Sequence, residues 1–242
     1  MTSSVPVRRS PPVSNTVTGN RINTLLSLLL AALLLIGFIL SALNLGAGTL
    51  AGSLLRATGI VAYLALALSV NFGALLGSRY APAWLARAQQ YGWHGLLSGF
   101  ALILGTAHGV FLAVDGTSAQ PLTALLLPWI STGATLAMCL GTLGMYSLAL
   151  VYLSTVWRKR LSQKQWRALH LTAYPAFVVL TLHSILAGTD SLGPLYGVAV
   201  AGAVLTFGLR FLEETGKRVR QTPPNQTRAA EHSRPRRADE TT

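Results

Sequence analysis

WRALHLTAYPAFVVLTLHSILAG, residues 166–188, reads as a membrane-crossing helix that carries two imidazoles. From Ala168 onward every residue is apolar or weakly polar except His170 and His183. A second stretch, WHGLLSGFALILGTAHGVFLAV (93–114), has the same character and carries His94 and His108. A helix needs about 20 apolar residues to cross the hydrocarbon core. Both stretches are continuous rather than alternating, which is the helical form of a span.

The whole chain fits that reading. Only 11% of its 242 residues are charged, against about 25% in a soluble domain. The charges stand in short clusters between long apolar windows. The expected fold is an all-α, integral membrane six-helix bundle with spans at 24–46, 54–77, 92–114, 131–156, 168–188 and 193–212. Residues 1–20, with three prolines, and the basic stretch 214–242 lack apolar periodicity and are expected to be disordered cytoplasmic tails. Residues 21–53 hold the first span, read as a retained anchor rather than a signal peptide, and an outer loop. Residues 54–213 form the main membrane domain. Pro121 and Pro128 predict a short interfacial helix or loop before the fourth span.

Lys and Arg set the orientation. With the N-terminus inside, segments 1–21, 79–87, 158–167 and 210–242 are cytoplasmic and hold 18 of the 19 basic residues. The expected topology is therefore N-in and C-in, in the cytoplasmic membrane. Asp115 and Asp190 fall in outer loops, and Arg56 alone among the basic residues falls on the outer side. Trp84, Trp93, Trp157 and Trp166 lie near the inner boundary, as an interfacial belt does. The net charge of +12 is thus a topology signal that also meets anionic lipid, and nucleic acid is not an expected partner. The lone Cys139 excludes a disulfide within the chain and any Cys-x-x-Cys-His haem attachment.

The third and fifth spans both run from inside to outside. His94 and His170 therefore lie near the cytoplasmic face, and His108 and His183 lie roughly 20 Å further out. Ionisable groups inside a membrane helix are costly and mark function. Zinc gathers four ligands at one point. Two ligands at each of two depths suit two flat cofactors gripped from both faces, which is bis-histidine haem b. Along a helix His94 and His108 share a face, whereas His170 and His183 end about 140° out of phase unless Pro175 bends the chain between them. Gly95, Gly99, Gly105 and Gly109 give room beside the third helix, either for a macrocycle or for helix packing. Arg56 either snorkels to the interface or pairs with a propionate of the outer haem. Tyr63, Trp93, Trp166 and Tyr174 are read as packing or belt residues that could also edge a haem.

Residues 56–70 (RATGIVAYLALALSV), 93–109 (WHGLLSGFALILGTAHG) and 157–191 (WRKRLSQKQWRALHLTAYPAFVVLTLHSILAGTDS) resemble the ferric reductase-like transmembrane domain. That family includes ferric reductases, NADPH oxidases and the haem subunit of periplasmic methionine sulfoxide reductase. The resemblance implies haem b held by His94 with His170 and by His108 with His183. The methionine sulfoxide reductase subunits typically lack the first of these histidines, and its presence here favours two haems. No Gly-x-Gly-x-x-Gly loop follows the sixth span, so the expected donor is a separate flavoprotein reductase or membrane quinol, with an acceptor at the outer face. The basic tail is a candidate dock for such a flavoprotein. The alternatives are a single-haem quinol-linked subunit serving a periplasmic methionine sulfoxide reductase-type enzyme, and a haem-free membrane scaffold or transporter subunit. No acid–base pair or nucleophile arrangement points to chemistry on an organic substrate.

Overall fold

The computed structural model describes residues 14–44, 49–81, 87–117, 119–131, 133, 135–188 and 192–221. All regular structure among them is helical: α1 (Ser14–Asn44), α2 (Leu50–Leu75), α3 (Arg87–Val114), α4 (Leu122–Leu126), α5 (Thr135–Val156), α6 (Gln163–Leu171), α7 (Ala173–Ala187) and α8 (Gly193–Gln221), with 3-10 turns at Pro128–Ile130 and Arg158–Arg160. Five helical stretches are long and apolar enough to cross a membrane: Leu50–Leu75, Gln89–Val114, Thr135–Val156, Gln163–Ala187 and Gly193–Lys217. The apolar stretch of α1, Thr24–Leu40, is shorter. Large aliphatic side chains such as Leu68, Ile103, Val178 and Val204 stay exposed on the outer faces. Water would penalise such a surface, whereas lipid solvates it. The chain is an all-helical, multi-pass membrane protein.

Two helices run further than expected. α1 begins at Ser14, inside the stretch 1–20 read as disordered; the prolines of that stretch all precede Ser14, so none interrupts the helix. α8 continues past residue 212 to Gln221, inside the stretch 214–242 read as a disordered tail. Ion pairs one turn apart support this extension, Arg210 with Glu214 at 3.1 Å and Lys217 with Glu213 at 2.8 Å. Residues 222–242, with His232 and the remaining tail arginines, lie outside the described residues, as do Trp84 and Asp190.

The fifth expected span is two helices. α6 starts with a capping box: the Ser162 hydroxyl accepts from the Gln165 N–H, and the Gln165 side chain accepts from the Ser162 N–H. The helix stops at Leu171, and the Thr172 hydroxyl donates back to the Leu169 carbonyl at 2.6 Å. Pro175 has no N–H for the Leu171 carbonyl, so the ladder cannot continue through it. In the first turn of α7 that missing donor costs nothing, and the chain restarts there.

α2 is the central helix. Half of its most apolar stretch is buried, more than in any other span. It packs against α1, α3, α7 and α8. Its buried side chains are mostly small, among them Ala57, Thr58, Ala62, Ala65, Ala67, Ser69 and Ala74, and small residues let membrane helices approach closely. Tyr63 ties α2 to α7 through the Thr181 hydroxyl at 3.1 Å. Asn71 ties it to α8 through Thr206 at 3.1 Å. α5 and α7 pack where Gly144 leaves room for Leu180; a Cβ at Gly144 would stand 2.5 Å from Leu180 Cγ. Gly144→Val is therefore expected to lower stability by about 1–3 kcal/mol. Gly208→Ala, at a position with no neighbour within 4 Å, should change it by less than about 0.5 kcal/mol. Unfolding of both variants in detergent micelles checks the difference.

Candidate functional site

Four imidazoles meet in two pairs. The His94 and His170 ring centroids are 5.9 Å apart with planes at 74°. Those of His108 and His183 are 6.2 Å apart with planes at 83°. His94 and His108 come from α3, His170 from α6 and His183 from α7. The break at Thr172 lets His170 and His183 each meet a partner on α3. Among the described residues no three His, Cys, Asp or Glu side chains converge on one point.

Three of the rings are seated by the same device. His108 Nδ1 lies 2.8 Å from the Leu55 carbonyl oxygen, His183 Nδ1 lies 2.8 Å from that of Ala137, and His94 Nδ1 lies 3.0 Å from that of Ser69. A carbonyl only accepts, so each Nδ1 carries the proton and each Nε2 keeps its lone pair. Four residues after each of these carbonyls stands a glycine: Gly59, Gly141 and Gly73. A Cβ at these glycines would stand 2.8 Å from His108, 2.7 Å from His183 and 2.9 Å from His94. The missing Cβ opens a notch through which the ring reaches the neighbouring helix's carbonyl. Ser69 adds its hydroxyl, 3.0 Å from His94 Nδ1 and 2.7 Å from the Ser98 hydroxyl.

The fourth ring differs. His170 Nδ1 is buried without a hydrogen-bond partner among the described residues. Trp166 stacks on it at 4.9 Å and 22°, and Arg158 lies 4.6 Å from the Trp166 ring centre.

The ring separations of 5.9 and 6.2 Å are of the size that a metal held between two imidazoles requires. A metal ligated in line by two imidazole nitrogens at about 2 Å puts the ring centroids roughly 6.3 Å apart. A hydrogen bond from Nδ1 to a carbonyl is the usual outer support of a metal-bound histidine. His108 and His183 also line a cavity of about 1190 Å³ between α2, α3, α5 and α7, ample for a cofactor. Its wall is largely apolar, with Arg56, Asp115, Thr117 and Gln120 on it where helices end. Gly95 and Gly99 face open space, whereas Gly105 meets Met145 and Gly109 meets Leu125.

Arg56 lines the same cavity as His108 and His183. Asp115, expected in an exposed loop, is instead 2% exposed. The Thr49 and Thr117 hydroxyls each donate to its carboxylate at 2.7 Å, and this pins the end of α3 against the start of α2. Trp93 packs on Phe72, Tyr63 on Tyr196, and Tyr174 on Phe207. Cys139 is half-buried on α5 and free.

Sequence reasoning found the imidazoles and missed their seats. A signal was present: Gly59 and Gly73 are fourteen residues apart on α2, as are His94 and His108 on antiparallel α3. Compared with family models, curated proteins and solved structures, the chain matches none.

Gly59→Ala and Gly141→Ala should displace the His108 and His183 rings and break their bonds to Leu55 and Ala137. The expected readout is a loss of about 1–3 kcal/mol in stability, read by unfolding in detergent micelles. Gly208→Ala, with no neighbour within 4 Å, is the silent control.

Proposed function

We propose that this chain carries electrons across the membrane through two bis-histidine haem b groups, the inner held by His94 and His170 and the outer by His108 and His183. The observation that carries this reading is the meeting of four intramembrane imidazoles in two pairs at ligation distance, three with Nδ1 fixed on a carbonyl. Haem b supplies one-electron transfer without substrate binding when both axial positions are filled.

The chain's own residues do the rest. The carbonyls of Leu55, Ser69 and Ala137 orient three ligand rings and raise their basicity. Between the two levels Tyr63, Phe177 and Leu66 are buried in the core and exclude water. At the outer level the Arg56 guanidinium provides a positive group for a haem carboxylate, while Asp115, already engaged by two hydroxyls, closes the wall beside it.

In this reading α1 is the first of six crossings, N-terminus and C-terminus lie in the cytoplasm, and the membrane is the cytoplasmic one. The lopsided placement of 18 basic residues supports that orientation. A separate flavoprotein or membrane quinol supplies electrons on the inner side, and an acceptor takes them at the outer face. The kinship with ferric reductase-like domains rests on the motifs quoted above. A one-haem chain serving a periplasmic methionine sulfoxide reductase-type enzyme is the second reading; the fuller anchoring of the outer pair favours it, and that pair would then be the one kept.

A dithionite-reduced minus oxidised spectrum of the purified chain should show a haem b α-band. His94→Ala and His108→Ala should each remove about half of it. An absent band supports a haem-free scaffold or transporter subunit, and a band untouched by either variant refutes the ligand assignment. A green fluorescent protein fused after residue 242 should fluoresce and an alkaline phosphatase fused there should stay inactive; the reverse result overturns the orientation.

A further inference from the structure

The four imidazoles are not held alike. His94, His108 and His183 each have Nδ1 on a carbonyl of a neighbouring helix and a glycine notch beneath the ring. His170 has neither. Its Nδ1 is buried without a partner among the described residues, and no described glycine has its ring among the nearest neighbours.

The seat of His170 is also the weakest. α6 has nine residues, none of them buried. It ends at Leu171, one residue beyond the imidazole, and the break at Thr172 separates it from α7. The ring is covered by the stacked Trp166 indole, whose own Nε1 is buried without a partner. Stacking holds a ring by its face and sets no direction for either nitrogen. A ligand imidazole that donates through Nδ1 to a carbonyl is fixed in tautomer and is a stronger donor through Nε2. His170 lacks both effects, and a buried ring nitrogen without a partner penalises the position it occupies.

Resting on the two-haem reading above, we infer that His170 is the exchangeable axial ligand of the inner iron. The place it vacates is a binding site for a small neutral π-accepting molecule of the carbon monoxide or nitric oxide class. With haem held there, His170 would give up its place as a neutral imidazole and the ferrous group would take carbon monoxide through carbon in its stead, with no electron changing place. His108 and His183 would hold theirs, because both rings are notched and hydrogen-bonded.

Carbon monoxide added to the dithionite-reduced, full-length chain in nanodiscs tests this by absorbance and stopped-flow mixing. About half of the haem b α-band should be lost to the carbon monoxide adduct. The rate should level off at high gas concentration, because departure of His170 limits it. In His170→Ala the levelling should vanish and the rate at high gas should rise by roughly tenfold or more, the worth of about one lost ligand contact. If that variant no longer retains the inner haem, the carbon monoxide response should disappear with it, which makes the same assignment. A reduced haem spectrum untouched by carbon monoxide, a response of the whole band, or a His170→Ala rate equal to wild type overturns the inference and leaves the two-haem reading standing. A preparation without any haem b band overturns that reading instead.

Discussion

An imidazole inside a bilayer has two nitrogens and no water for either. Each nitrogen must find a partner in the protein, because an unmet polar group in hydrocarbon costs several kcal/mol. Helix backbone is the most abundant source of acceptors, but its carbonyls are already bonded along the helix and screened by the side chains one turn on. Removing one Cβ four residues later exposes the carbonyl's second lone pair. Gly59, Gly73 and Gly141 do this for His108, His94 and His183. The close packing of α2 with α3 and of α5 with α7, and the matched fourteen-residue spacings, follow from that requirement.

With Nδ1 committed on three of the rings, Nε2 of each is left as a lone pair, and each of these rings stands 5.9 or 6.2 Å from a second imidazole. The same logic accounts for the break at Thr172. A straight helix carries His170 and His183 about 140° out of phase. The helix is interrupted at Thr172, between the two histidines, so the phase of a straight helix does not apply across it. The interruption also takes His170 away from the regular α5–α7 register, which explains why it alone lacks a carbonyl.

Much of the architecture was legible from residue order. Continuous apolar windows gave five of the six expected spans at membrane-crossing length, the two prolines at 121 and 128 gave the short helix Leu122–Leu126, and depth along the spans gave the pairing of the histidines. Other features depend on contacts between segments, and hydropathy is blind to those. Asp115 reads as a loop residue until Thr49 and Thr117 are seen to close over it. The glycines beside the histidines in α3 drew notice, while those that seat the rings lie on other helices, in α2 and α5. The extents of α1 and α8 were underestimated because polar composition was read as disorder, although no proline stands between Ser14 and Asn44 or between Leu195 and Gln221.

In the proposed function each imidazole pair ligates one iron with its planes nearly crossed. Low-temperature electron paramagnetic resonance of the oxidised, purified chain, with spins counted per polypeptide, reads this directly. Two low-spin ferric irons per chain are expected, both with the strongly anisotropic signals that near-perpendicular imidazoles give at 74° and 83°. A high-spin ferric signal, a rhombic signal of the parallel-imidazole kind, or no iron signal at all would contradict it.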